Sequence, residues 1–311
     1  MVLRRASFLL LFICLIGCGE VEPPPEEVPP ENPTYTLAIQ SPVGYVSCGD
    51  ILSIEDLQNP ITPIPVGTLV LHDLILDLEL APPYLFVSNR KAGITVLDIS
   101  DPFHPRDIGS YYTDGWALDS EYKDGLLYVA ADNIGLLIAD TSNPAEPSTI
   151  ASAPTPDAQA LSVHPPYVYL ADLLQGIVIV DIADPMNPET ASIIDTPGNA
   201  RSLIVEEGLL YVSDDDRGLG IYDISDPIHP VEVSRTPTPG LAKKMVKVEN
   251  RLFIASARAG VVEVDVLDPL HPKIMHVYPS EGSVWDVRVE GNVLYMADWN
   301  HGLRVAPVLH E

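Results

Sequence analysis

The 311-residue chain holds 44 Asp and Glu against 17 Lys and Arg, a formal charge of −27 at pH 7. That balance excludes nucleic acid as a partner, since phosphate binding needs a basic footprint, and it repels the folded part from anionic lipid headgroups. The 46% hydrophobic content supports a large buried core, the 31 prolines argue against long helices, and three cysteines exclude a disulfide scaffold or a Cys-built zinc site.

Taken in chain order, the first signal is an address. Arg4 and Arg5 precede an apolar run, Phe8 to Ile16, that is too short to span a bilayer as a stable helix. The run ends in Leu15-Ile16-Gly17-Cys18, which resembles the bacterial lipobox. The resemblance implies cleavage before Cys18 and a diacylglycerol on its thiol, so that the membrane is met only through the lipid anchor. Gly19 in place of Asp implies the outer membrane rather than retention at the inner one. Residues 1–17 are then a lipoprotein signal peptide and residues 18–32 a lipidated tether rich in Pro and Glu. An extended Pro-rich run at ~3.1 Å per residue lifts the rest roughly 40 Å from the bilayer. Removing residues 1–17 takes away two arginines and no acid, which makes the charge −29.

Residues 33–311 read as one domain of repeats. The phrase Gly, alternating apolar run, Asp, two residues, Asp or Asn, Pro, two residues, Pro recurs from Gly93, Gly135, Gly176, Gly218 and Gly260. A worn copy starts at Ile51 and a truncated one at Gly302. The central acid falls at 56, 98, 140, 181, 223 and 265, with Pro307 in the seventh place, in steps of 41 or 42 residues. Each period holds four strand signals separated by turn residues; in the third they are Trp116–Ser120, Leu127–Ala131, Leu136–Asp140 and Ser148–Ser152. Four antiparallel strands per period predict an all-β fold, a β-propeller of four-stranded blades. Counting third strands predicts seven blades. Six blades plus a decorating hairpin is the alternative, because only 14 residues separate Pro42 from Asp56 and the first blade is expected to lack a full inner strand. The stretch Asn32 to Pro42 matches the fourth-strand stretch Asn187 to Pro197, so an N-terminal strand is expected to close the ring within the last blade.

The phrase Ile177 to Asp181, with Gly176 before it and the Asp-Pro-x-x-Pro loop after it, resembles the LVIVD repeat of bacterial and archaeal surface proteins. The resemblance implies a propeller and a surface location, and it brings no agreed catalytic residues.

The central acids Asp98, Asp140, Asp181, Asp223 and Asp265 are expected to organise their loops by accepting backbone N–H bonds. The loops between second and third strands carry Asn89, Asp132, Asp172, Asp214 and Asp298. Turn chemistry is the first reading for these, and a carboxylate-ringed face that holds a cation or a basic partner is the sharper one, with the four aspartates as the candidate metal ligands. His104, His229 and His271 lie on three different blades and cannot converge on one metal. Inner strands line the channel. One register there reads Leu76, Leu118, Gln159, Arg201, Lys243 and Trp285, and the next reads Asp77, Asp119, Ala160, Ser202, Lys244 and Asp286. Positions that only hold a repeat together should repeat, and these vary. Trp116, Gln159, Arg201, Lys243 and Trp285 are therefore the candidate ligand-binding mouth, aromatic and cationic, suited to a carboxylate or a sugar. No nucleophile elbow, HExxH, P-loop or Rossmann glycine pattern is present, so neither a cofactor nor catalysis is expected. The expected role is a cell-envelope binding or scaffold module for protein or glycan. A channel-mouth hydrolase or lyase using Asp77, Asp119 and Asp286, or a purely structural component, are the alternatives.

Overall fold

A computed structural model describes residues 33–309; the expected signal peptide, Cys18 and the expected tether lie outside the described residues. Every element in it is a β-strand, and the strands form seven antiparallel sheets in chain order: residues 37–70, 77–111, 119–153, 158–194, 202–236, 245–278 and 284–307. These are blades 1 to 7 of a β-propeller. Six have four strands and the last has three.

Local sequence explains the blade. In blade 4 the strands are Ala158–His164, Tyr167–Asp172, Gly176–Asp181 and Glu189–Ile194. The third reads Gly-Ile-Val-Ile-Val-Asp, with its aliphatic residues buried on both faces, because each sheet is covered by a neighbour on either side. The fourth is mostly exposed, and the register slips between Ile179 and Val180 where it pairs with the third. The same slip occurs in every four-stranded blade, a bulge that adds the twist a propeller needs. The glycine that opens the third strand of blades 2 to 6 is obligatory. Gly135 has φ +91°, and a Cβ there would lie 2.3 Å from Thr155 N and 2.4 Å from Ala153 O.

The seven core clusters lie between the blades. Each joins two neighbours, as where Val180 and Ile138 share one, and the seventh joins blades 7 and 1 through Leu37, Val46, Leu57, Val293, Tyr295 and Ala297. Seven clusters for seven seams close the ring, so the seven-blade expectation holds and the six-blade alternative falls.

The mode of closure corrects the sequence reading. The N-terminal strand Leu37–Gln40 does not complete blade 7. It turns back at once, with Gln40 opposite Val43, and is the inner strand of blade 1, which is a full four-stranded blade. The Asn-Pro and Pro spacing brackets the outer strand Glu189–Ile194 in residues 187–197 but an inner strand in residues 32–42. Blade 7 keeps three strands, and its seam is closed by packing and by side chains. Asp286 Oδ2 accepts from Thr36 Oγ1 at 2.8 Å and Leu37 N at 3.4 Å, and Ser41 Oγ donates to Glu290 at 2.5 Å.

Candidate functional site: the channel mouth

Corrected strand order completes the varying register. Blade 1 contributes Tyr35, so seven residues, one per blade, surround the channel: Tyr35, Leu76, Leu118, Gln159, Arg201, Lys243 and Trp285. These seven, with Lys244, line a pocket of about 140 Å³. Four of the five candidate mouth residues are therefore together. Trp116 is not among them. It is 41% exposed at the seam of blades 2 and 3, with the Arg90 guanidinium 5.4 Å and the Lys91 ammonium 5.5 Å from its ring. Residues 116–118 do not pair as an inner strand, because Ala117 bridges to Arg90 of the preceding blade and the strand begins at Asp119.

Within the pocket, Tyr35 meets Trp285 edge-on at 5.5 Å, and Lys243 Nζ lies 5.0 Å from the Trp285 ring. Lys243 also reaches Asp215 Oδ1 at 3.2 Å. Arg201 touches Asp215 Oδ2 through two nitrogens and Gln159 Oε1 through a third, all at 3.4 Å. Burial, with Arg201 nearby, pushes Lys243 below the usual lysine range although Asp215 opposes this.

Beneath the mouth lies a second ring, Thr36, Asp77, Asp119, Ala160, Ser202, Lys244 and Asp286. Its three aspartates each fasten their own blade to the next. Asp77 accepts from Ser120 N at 3.4 Å, Asp119 from Leu161 N at 2.9 Å, and Asp286 from Leu37 N. One layer further, Glu79 accepts from Tyr122 N at 3.0 Å and Glu121 from Val163 N at 2.9 Å. Lys244 crosses the channel to Asp77 at 2.5 Å and Asp119 at 3.5 Å, and Arg288 holds Asp286 at 2.5 Å. Burial disfavours the charge on Asp77, but Lys244, with Arg288 and Asp119 beside it, holds this carboxyl below the usual range. Burial beside Asp77 raises Asp119, and burial pushes Glu79 up to about 8. Burial also opposes the charge on Lys244, which Asp77 and Asp119 nevertheless hold above the usual lysine range. Asp77, Asp119 and Asp286, the acids a channel-mouth enzyme would have to use, are thus engaged with backbone N–H groups and cations.

The loop aspartates have turn roles. Asp172 accepts from Asp157 N, Leu174 N and Gln175 N, and Asp298 from Gly282 N, Asn300 N and His301 N. Asp214 accepts from Gly198 N at 3.2 Å and pairs with Arg235 at 2.8 Å. Asp132 is not their equivalent. It falls one place later, at the left-handed turn position shared with Arg90, Asp215 and Ala257, and its carbonyl accepts from Ala158 N of the next blade. Among the described residues, no three His, Cys, Asp or Glu side chains gather as metal ligands do. The central acids cap their loops, as Asp181 does by accepting from Ala183 N at 2.8 Å and Asp98 from Ser100 N at 2.9 Å. His104, His229 and His271 each sit 2.9 Å from an aspartate of their own loop.

A family model described as LVIVD repeat matches residues 77–113, 117–155, 156–196, 197–238 and 281–306, together more than half of the chain. The chain belongs to the LVIVD-repeat family. Blades 1 and 6 lie outside the matched segments, yet both are four-stranded. No curated protein matches the chain. Among solved structures, the β-propeller domain of Myceliophteria thermophila Cps50 (Swd1) is similar with a TM-score of 0.70 at 11% identity, over 89% of this chain and 96% of that one. The computationally designed Ika8 protein is similar with a TM-score of 0.67 at 9% identity, over 90% of this chain and 98% of that one. At these identities the likeness concerns the fold alone.

Proposed function

We propose that this LVIVD-repeat protein is a cell-envelope lipoprotein, anchored through Cys18 in the outer membrane, whose propeller is a non-catalytic binding or scaffold module for a surface protein or glycan. The observation that carries this reading is the mouth ring. In the ring below, Asp77, Asp119 and Asp286 spend their carboxylates on the backbone of the next blade, whereas the mouth residues differ at almost every blade and surround a pocket. The lipobox-like Cys18 and the acidic, Pro-rich tether support an anchored disk held away from the bilayer. Metabolic palmitate labelling tests the anchor: label should enter the wild-type protein and be lost in Cys18→Ala, and unchanged labelling would overturn it. For the binding role, the mature chain is presented to a glycan array and to envelope extracts beside an Arg201→Gln/Trp285→Leu variant. Capture that depends on those two residues is expected, and capture indifferent to them would overturn the mouth as the binding site.

A further inference from the structure

The mouth ring is polarised. Its members from blades 7, 1, 2 and 3 are Trp285, Tyr35, Leu76 and Leu118, an unbroken arc of aromatic and aliphatic side chains. Its members from blades 4, 5 and 6 are Gln159, Arg201 and Lys243, an unbroken polar and cationic arc. An apolar wall facing a cationic wall across one small pocket is complementary to an amphipathic anion.

Charge sets the valence of that anion. Lys244 is committed to Asp77 and Asp119 below the mouth. Arg201 and Lys243 are both paired with the one carboxylate of Asp215, so two cations meet the pocket against one paired acid, with Asp157 the further acid beside Arg201. The pairing is also loose. Charge-assisted N–H···O bonds run at about 2.7–2.9 Å, whereas all three Arg201 contacts are 3.4 Å. A guanidinium has five donors in a planar fork, and Lys243 has three with one acceptor given by Asp215. The Trp285 indole N–H is buried without an acceptor. Size sets the body: a cavity of roughly 150 Å³ lined by apolar side chains holds a benzene ring, and this one measures about 140 Å³.

We infer that the channel mouth binds a small organic monocarboxylate with a flat or branched apolar body, its carboxylate held by Arg201 and Lys243 and its body laid against Trp285, Leu76 and Leu118. The inference rests on the mouth being a binding site, and it names the chemical class of what enters.

The experiment is isothermal titration of the mature chain with benzoate, its neutral isostere benzamide, and acetate, at constant ionic strength, with tryptophan fluorescence as a second readout. Benzoate is expected to bind at least ten-fold tighter than benzamide, which lacks the charge, and than acetate, which lacks the body. Arg201→Gln should weaken benzoate at least ten-fold, Trp285→Leu should weaken it several-fold, and Trp116→Phe, outside the pocket, should leave it unchanged. The comparison of benzoate with benzamide on unaltered protein decides the matter even where a variant fails to fold. Equal binding of benzoate and benzamide, no benzoate heat at millimolar concentration, or full binding by folded Arg201→Gln would each overturn the inference. If benzoate fails while ring-dependent capture of a glycan or protein persists, only the ligand class is wrong; if both fail, the mouth is not a binding site.

Discussion

Lys244 is the residue whose removal tests the electrostatic account most directly. Its Nζ is 2.5 Å from Asp77 and 3.5 Å from Asp119, across the channel from its own blade. Asp77 is 4% exposed, so Lys244→Met leaves a buried carboxylate with only the more distant Arg288 as counter-charge. Breaking a buried pair from one side costs about 3–5 kcal/mol. In a domain of this size each kcal/mol moves Tm by roughly 2 °C, so the expected loss near pH 8 is about 6–10 °C. The sign of its pH dependence follows from linkage. In the wild type Asp77 titrates below its unfolded range, so it contributes stability above that range, which is lost on acidification through the lowered folded value. Without Lys244 burial is opposed only by Arg288 and the long Ser120 N–H bond, so Asp77 should join Asp119 in titrating high, and the native state then takes up protons that the unfolded chain does not. The variant should therefore regain stability as pH falls from 8 to 5, with its deficit shrinking by at least half. Adding Asp77→Asn to Lys244→Met should recover part of the loss at pH 8. Calorimetric Tm values at pH 5, 6.5 and 8 check this. A deficit of equal size at every pH would mean that packing of the lysine stem carries the effect, and no deficit would refute the account of the second ring.

Glu79, held near 8 by burial, binds a proton in the native state between about pH 4.3 and 8 that it releases on unfolding, so stability falls as pH rises through that window. Glu79→Gln should flatten the decline by up to about 4 kcal/mol between pH 5 and 8, the ceiling for one proton at about 1.4 kcal/mol per pH unit; urea unfolding at the two pH values reads it. Gly135→Ala should prevent folding or cost several kcal/mol through its clash with Thr155 N and Ala153 O. Gly125→Ala, at φ +86° with nothing within 4 Å, should cost only about 1–2 kcal/mol; the contrast is read from expression and Tm. Asp286→Asn should loosen the seam of blades 7 and 1 by about 2–3 kcal/mol and speed proteolysis in residues 33–48, and an unchanged cleavage rate would refute its role in closure.

Much of the blade was legible because its determinants are local. Leu136–Asp140 is a third strand in sequence and in structure, since a both-sides-buried strand must be continuously apolar and its Asp must cap the following loop. Residues whose partners lie a full period or more away were not legible in that way. Glu79 and Glu121 look like ordinary solvated positions of an alternating strand; only the ring places the backbone of Tyr122 and Val163 against them. The partners of Lys244 are 167 and 125 residues distant. Tyr35 escaped because the proline spacing around residues 32–42 resembles that of an outer strand, and Trp116 misled because proximity in sequence to the inner strand does not aim its ring at the channel.

The two rings together explain how a repeat makes a site that does not repeat. Blades 2, 3 and 7 carry Asp in the second ring, and each fastens its carboxylate to the next inner strand. Those same blades give the mouth Leu76, Leu118 and Trp285. Blades 4, 5 and 6 have Ala160, Ser202 and Lys244 instead, and they give it Gln159, Arg201 and Lys243. An arginine or lysine directly above a stitching carboxylate would be drawn onto it, as Lys244 is onto Asp77 and Asp119. The lack of Asp in the second ring of blades 5 and 6 leaves the cations above paired with Asp215 alone, at long distances, and open to an incoming anion. Seams that lack the carboxylate use other ties, Ser213 Oγ to Lys243 O at 2.5 Å and Lys244 N to Trp285 O at 3.2 Å. Restoring the stitch with Ser202→Asp should therefore stiffen the blade 5–6 seam while pulling Arg201 and Lys243 inward, so that stability rises as benzoate affinity falls. If both rose together, the competition between stitching and binding would be disproved.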